Sequence, residues 1–310
     1  MSKIHFIVNP QRQSIGLRWP YEEQKIRNLT NDFQVHIVRG RYHAEILARQ
    51  AMEEGAELIV SVGGDSTLSE IANGLYRASL GGKKVPLLTL YPELHAGDTI
   101  RSLPLRANFA EFLADYLRGE ALRDSLDLGE IEFTGDYGQR IRRVFVNCAG
   151  FGFSSTIVER LSHNFRYART KWNFIRLIAR LVPFYKHPIV NVSVDGQKQY
   201  MSQPMLTGLI HNGRYAAHGL DLSEQSSLFD GKFEMSFILK TFSYRYLLGI
   251  FPLFAGLLHK ASFVKRIQGR EVEIGPAVPQ RKIRVDFDGD CWGFLPLKVR
   301  VLEKALSVVR

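Results

Sequence analysis

The 310-residue sequence predicts an α/β domain with a parallel sheet over 1–125, then a β-sandwich-like domain with helical insertions over 126–310. Three observations carry this prediction. Up to residue 125, short apolar runs alternate with stretches of helical spacing, the pattern of strands joined by right-handed crossovers. The run Leu58–Val62 is apolar and largely β-branched, as a strand covered on both faces is, and it breaks at Gly63-Gly64 before a helical stretch. Beyond 126, short strand-like runs recur at 142–148, 189–195, 205–211, 232–239, 271–274 and 282–287.

Taken in order, 3–8 is a first strand that ends at Asn9-Pro10. Residues 21–31 form a polar helical segment, and 33–38 alternate as a strand. A helix runs from His43 through Glu54, with Ile46, Leu47 and Ala51 on one face. After strand 58–62, Gly63 and Gly64 let the chain bend and leave no Cβ to hold a ligand away. Ser66 or Thr67 can cap the next helix, with Glu70 completing a capping box. Free N–H groups at such a helix start attract phosphate. A loop at 81–84 and a buried strand at 85–91 follow. Ligands of parallel sheets lie beyond the carboxyl ends of the strands, so 63–67 and 92–98 share the binding edge. Residues 107–117 form a helix.

Two helical insertions interrupt the later strands. The first, 156–186, carries Arg160, Arg166, Arg169, Lys171, Arg176, Arg180 and Lys186 against Glu159, with Trp172, Ile175, Ile178 and Leu181 at helical spacing. Such a helix suits an anionic membrane surface, and equally fits as an amphipathic helix packed on the sandwich. The second, 246–258, is followed by His259, Lys260, Lys265, Arg266 and Arg270. Near the end, Asp286, Asp288 and Asp290 cluster; three such carboxylates bind a divalent cation, or raise one pKa so that it acts as a base, or form a solvated acidic turn.

The net charge of +10 and pI near 9.6 imply an anionic partner: a nucleotide, a nucleic acid or an acidic membrane. With no zinc-finger or RNA-binding motif, nucleic acid is the weakest of the three, and the expectation is no nucleic acid. Two cysteines, Cys148 and Cys291, make neither a disulfide framework nor a zinc site, which favours a reducing compartment. The longest apolar run, 246–258, falls short of the ~20 residues that span a bilayer. The expectation is a cytoplasmic protein, peripheral at the inner membrane face; a homodimer stays open.

The string Gly63-Gly64-Asp65-Ser66-Thr67, with Glu70, Asn73, Gly74 and Leu75, resembles the GGDGT-x-x-E-x-x-N-G-L motif of the diacylglycerol kinase catalytic domain, the family of bacterial lipid kinases and sphingosine kinases. Ser66 stands at the motif's third glycine. Other segments resemble the family in the same order: Asn9-Pro10, Leu126-Asp127-Leu128-Gly129, Asn212-Gly213-Arg214-Tyr215, Leu228-Phe229-Asp230-Gly231, and Asp288-Gly289-Asp290 with Leu295-Pro296. Departures occur at Val38 and Tyr42, which replace a threonine and a glycine. They are densest at 92–98, where Leu94 and His95 replace Gly-Thr and Gly97 replaces asparagine.

The resemblance implies an ATP-dependent kinase acting on a lipid hydroxyl, with ATP and Mg²⁺, and a cleft between the two domains. It implies nucleotide contacts from Asn9, Gly63, Gly64, Asp65, Ser66, Thr67, Glu70 and His95. Magnesium is expected near Asp65, Asp98 and Asp127, and at Asp230. Asp288, with Asp290 beside it, is expected to be the catalytic pair, Asp288 taking the proton of the lipid hydroxyl. The losses at Val38, Leu94, His95 and Gly97 motivate an alternative, a lipid- or nucleotide-binding relative with impaired turnover. His95 either replaces the lost phosphate donor or marks a site that holds ATP poorly. A soluble small-molecule kinase shares the glycine turn, but the Leu-Phe-Asp-Gly and Asp-Gly-Asp segments argue against it.

Overall fold

The computed structural model describes residues 3–11, 13–95, 97–106, 108–163, 171–217, 219–254, 261–278 and 281–310. Arg166, Arg169, His259, Lys260 and the ends of two expected helices, at Ala107 and at 255–258, lie outside the described residues. The chain divides into two compact units, Met1–Leu128 with Glu303–Arg310, and Gly129–Leu302. The expected boundary at 125/126 therefore moves by three residues, and the last eight residues leave the second domain for the first.

The first unit contains β1 (Ile4–Val8), α1 (Gln13–Arg27), β2 (Phe33–Ile37), α2 (His43–Glu53), β3 (Leu58–Val62), α3 (Asp65–Leu80), β4 (Leu87–Leu90), α4 (Thr99–Ser102) and α5 (Phe109–Arg118). The strands pair in parallel in the order β2-β1-β3-β4, with Ile4 beside Phe33 and Leu58, and Leu58 beside Leu87. Residues 303–310 add a fifth position: Val308 pairs in parallel with Leu88, and Leu122 and Arg310 exchange two backbone hydrogen bonds of 3.0 and 2.9 Å. Every residue of β1 and β3 is buried, as their apolar runs require. Phe6, Trp19, Phe33, Tyr91 and Phe109 fill one face of this sheet. Helix α1 begins well before the expected 21–31 and carries Pro20 inside it. Burial of Ile15, Trp19 and Ile26 along one face outweighs the local cost of the proline.

In the second unit, the chain enters along β5 (Arg123–Thr134) and continues through β6 (Arg140–Phe145), β7 (Cys148–Gly152), α6 (Phe153–His163), α7 (Lys171–Leu181), β8 (Ile189–Val194), β9 (Gln197–His211), β10 (Tyr215–Ala216), β11 (Leu220–Asp221), β12 (Phe233–Leu239), α8 (Ser243–Phe254), β13 (Val264–Gly269), β14 (Glu271–Pro276), β15 (Arg284–Phe287) and β16 (Asp290–Val309). The antiparallel pairing closes on itself: β9-β7-β15-β16-β14-β8 and back to β9. Among the described residues, each strand of this ring pairs with two others of it. Phe145, Phe151, Phe233, Phe237, Phe287 and Val299 are among the side chains of its core.

Within the insertion 156–186, the described residues form α6 up to His163 and α7 over Lys171–Leu181. The expected stripe also shifts. Phe174 and Leu177 enter a core with Phe153, Leu206 and Tyr246, whereas Trp172 is 73% exposed. Ile178 and Leu181 pack only partly against that core.

Candidate active site

At the carboxyl edge of the parallel sheet, β3 ends at Val62 and α3 begins at Asp65. The N-cap is Gly64, in extended conformation (φ −112°, ψ −172°), with no side chain capping the helix. The expected cap by Ser66 or Thr67 is not formed. Thr67 instead folds back over Gly63: a Cβ on Gly63 would lie 2.5 Å from its Oγ1. The bare backbone of Gly63 thus makes room for Thr67 rather than for a ligand. The same Oγ1 accepts a 2.9 Å hydrogen bond from Asn9 Nδ2 at the end of β1. Asn9 and Thr67 are therefore brought together at this edge.

Glu70 has a different task from the one expected. It is buried, and its two carboxylate oxygens accept hydrogen bonds from Tyr42 N (2.7 Å) and Ala44 N (3.1 Å), at the start of α2. It caps a neighbouring helix rather than its own, and supplies negative charge where the α2 dipole is positive. Tyr42, at the position of a family glycine, has the left-handed φ of 65°.

Asp65, the first residue of α3, holds the 95–99 segment. Oδ2 accepts from Asp98 N at 2.6 Å, Oδ1 accepts from Thr99 N at 3.1 Å, and His95 Nε2 lies 3.3 Å from Oδ1. The His95 side chain is fully buried and its Nδ1 has no hydrogen-bond partner. Burial opposes ionisation of Asp65, but the His95 ring and the hydrogen bonds from Thr99 and Asp98 outweigh it and hold the carboxyl below its usual range. Gly97 lies directly against this carboxylate: a Cβ there would collide with Oδ1. The bare backbone of Gly97 thus leaves room for the Asp65 carboxylate.

These contacts test whether magnesium fits the residues expected to hold it. Asp65, with both oxygens accepting N–H donors and Gly97 packed against it, is not open to a cation in this arrangement. Asp98 contributes its backbone N–H to that clamp. Asp127 is buried, and its Oδ1 accepts a 2.7 Å bond from Lys304 N, a β16 residue of positive φ (51°). Asp230 differs. It is exposed on the turn before β12, beside Gly231 at φ 69°, and its Oδ1 accepts a long 3.3 Å bond from Lys232 N. A hard carboxylate oxygen at an open turn suits Mg²⁺.

The acidic cluster of the second unit sits on a hairpin. Asp288 and Gly289 join β15 to β16 with φ of 47° and 85°, as a two-residue turn requires. The buried Asp288 carboxylate accepts from Val146 N (2.7 Å), Asn147 N (2.9 Å) and Cys148 N (3.3 Å), fixing the bend between β6 and β7. Asp286 lies inside: its Oδ1 accepts from Ser154 Oγ (2.7 Å) and Ser155 Oγ (2.6 Å). Burial pushes its carboxyl above the usual range, against the pull of those two hydroxyls. Asp290, half-buried, pairs with Phe287 across the turn. Ser154 and Ser155 have no motif of their own, and the sequence reading passes over them.

An α/β unit with a glycine turn leading into an uncapped helix, joined to an antiparallel β unit, defines a nucleotide-kinase type of fold. The model of the diacylglycerol kinase catalytic domain matches residues 3–126, and that of the YegS C-terminal NAD kinase beta sandwich-like domain matches 148–310. The chain belongs to the diacylglycerol kinase family, as a divergent member. The structure of a diacylglycerol kinase from Bacillus anthracis str. Sterne aligns with a TM-score of 0.66 at 17% identity, covering 99% of this chain and 96% of that one. A second solved chain from the same strain aligns with a TM-score of 0.71 at 18% identity, covering 99% and 97%. Yeast NADH kinase, solved with NADH, aligns at 0.51 and 10% identity, covering 99% and 82%. At such identities the likeness concerns the fold. No curated protein matches the chain.

Proposed function

We propose that the protein transfers the γ-phosphoryl group of ATP to a hydroxyl of a diacylglycerol-like or sphingoid lipid. The observation that carries this reading is the start of α3. Its N-cap is a glycine without a capping side chain, it lies at the carboxyl edge of the parallel sheet, and Asn9 and Thr67 are joined beside it. Helix N–H groups so placed favour phosphate. In this reading Gly64, Ser66 and Thr67 hold phosphates, and Asn9 fixes the Thr67 hydroxyl. Magnesium, when bound, supplies charge neutralisation; Asp230 is the residue whose setting suits it. Asp288 keeps the role of base only if an oxygen accepts a further proton donor beside its backbone bonds, which a carboxylate can do.

The membrane belongs to the same reading. Trp172, Phe184, Phe242, Tyr244 and Leu248 of the second unit are exposed, near in sequence to the exposed Arg176, Arg180 and Arg245. Aromatic and basic side chains together suit an anionic bilayer surface. Among the described residues no helix is long and apolar enough to cross a membrane.

A second reading, lipid or nucleotide binding with impaired turnover, draws on the clamp of Asp65 by His95, Asp98 and Thr99. One experiment separates the two. The purified protein is incubated with labelled ATP, Mg²⁺ and a total lipid extract. Labelled lipid that disappears when Thr67→Val is substituted supports the kinase. Saturable binding of lipid vesicles with no labelled lipid leaves the binding reading.

A further inference from the structure

We propose that His5, His36 and Glu54 form a binding site for one divalent transition metal of the zinc type, separate from the candidate active site. His5 lies on β1, His36 on β2, and Glu54 is the C-cap of α2. His5 Nδ1 and His36 Nε2 face each other at 2.9 Å, and Glu54 Oε2 lies 3.8 Å from the first and 4.0 Å from the second. The ring centres are 5.1 Å apart, with planes within 14°. Three ligand atoms on a tetrahedral zinc ion, each about 2.0–2.1 Å from the metal, are about 3.3 Å from one another. Closing Glu54 by about 0.5–0.7 Å and opening the ring pair by about 0.4 Å reaches that spacing, shifts within ordinary side-chain adjustment.

Two further observations point to a cation. Glu54 Oε1 accepts a 2.7 Å bond from Gln50 Nε2, which turns Oε2 toward the rings, and there Oε2 is buried with no hydrogen-bond donor. An outer partner that aims a carboxylate in this way is what metal ligands commonly have. Glu54 also stands at the carboxyl end of α2, where the helix dipole favours positive charge. The His5 side chain is fully buried and that of His36 10% exposed, while Glu54 at 33% gives water a way to the fourth corner. Two imidazoles select zinc, cobalt, nickel or copper over magnesium and calcium. With no metal, the facing nitrogens share one proton; binding moves it to the far nitrogen of the same ring, so both facing lone pairs reach the ion. Glu54 precedes β3, whereas the glycine turn follows it, so the two sites belong to opposite ends of that strand.

The test uses the full, tag-free chain stripped with a chelator and titrated with Co²⁺. The expected result is one Co²⁺ per chain, with the visible absorption of a tetrahedral N/O site, displaced by Zn²⁺ and unaffected by excess Mg²⁺. The metal should also raise the melting temperature. His36→Gln and Glu54→Gln, each checked for native circular dichroism, should weaken binding by more than roughly tenfold. Glu54 is partly exposed, so its variant serves if His36→Gln does not fold. Wild-type protein that takes up no Co²⁺, or uptake equal in wild type and Glu54→Gln, overturns the proposal.

Discussion

Asp286 and Asp288 are two residues apart and sit in opposite surroundings. Asp288 faces backbone N–H groups, and Asp286 faces two hydroxyls in a dry site. Asp288→Asn turns an amide donor toward N–H groups that need an acceptor. It should cost about 1–3 kcal/mol and lower the melting temperature, whatever it does to turnover; an unchanged melting temperature would count against the clamp. For Asp286 the sign is reversed. Its folded pKa is raised, so its favourable contribution is complete below the unfolded carboxylate pKa and is lost as pH rises through the folded value. Asp286→Asn keeps the acceptor for both serines and removes the charge. It should therefore match or exceed wild-type stability at pH 8, with the advantage shrinking toward pH 4, as parallel thermal melts would show. The acidic cluster itself is legible in the sequence. The split is not, because it depends on Val146 and Asn147, which lie 142 and 141 residues away in the chain. The same limit applies at Gly97, which reads as a lost asparagine until the Asp65 carboxylate is seen against it. Gly97→Ala should destabilise the fold or displace the 95–99 segment.

For the helices and strands, periodicity was informative and partner choice was not. The burial of β1 and β3 and the start of α2 at His43 are readable from apolar spacing. The capping box is misread, because Thr67 and Glu70 have the right spacing for α3 but better partners elsewhere: Asn9 for the hydroxyl, the start of α2 for the carboxylate. Glu70→Ala leaves N–H groups at Tyr42 and Ala44 without their acceptor. Faster amide exchange in the first turn of α2, with α3 unchanged, is the expected result. In α7 the apolar stripe is correct in kind but turned about the helix. Leu177→Ala should cost about 2–5 kcal/mol as a core truncation. Trp172→Ala should stay within about 0.5 kcal/mol, since its side chain is mostly exposed. Equal losses from the two variants would show the stripe to be placed wrongly.

The excess of positive charge, +10 over the chain, belongs to the molecule as a whole. If the exposed aromatic and basic side chains of the second unit meet a bilayer, binding should need anionic lipid and fall as salt rises. Trp172→Ala with Phe184→Ala should weaken binding at every salt concentration, whereas Arg176→Gln with Arg180→Gln should flatten the salt dependence. Co-sedimentation with vesicles of defined composition distinguishes these outcomes; equal binding to neutral vesicles in high salt would remove the idea.

The return of residues 303–310 to the first unit sets an order of events during synthesis. Residues 1–128 emerge early, but the segment that pairs with β4 through Val308, and with Leu122 through Arg310, is made only after the whole second unit. Until then β4 presents an unpaired edge, a template for mispairing with another chain. The first unit therefore matures last although it is made first. A chain ending at residue 302 should aggregate, and adding a peptide of residues 303–310 in trans should recover soluble protein.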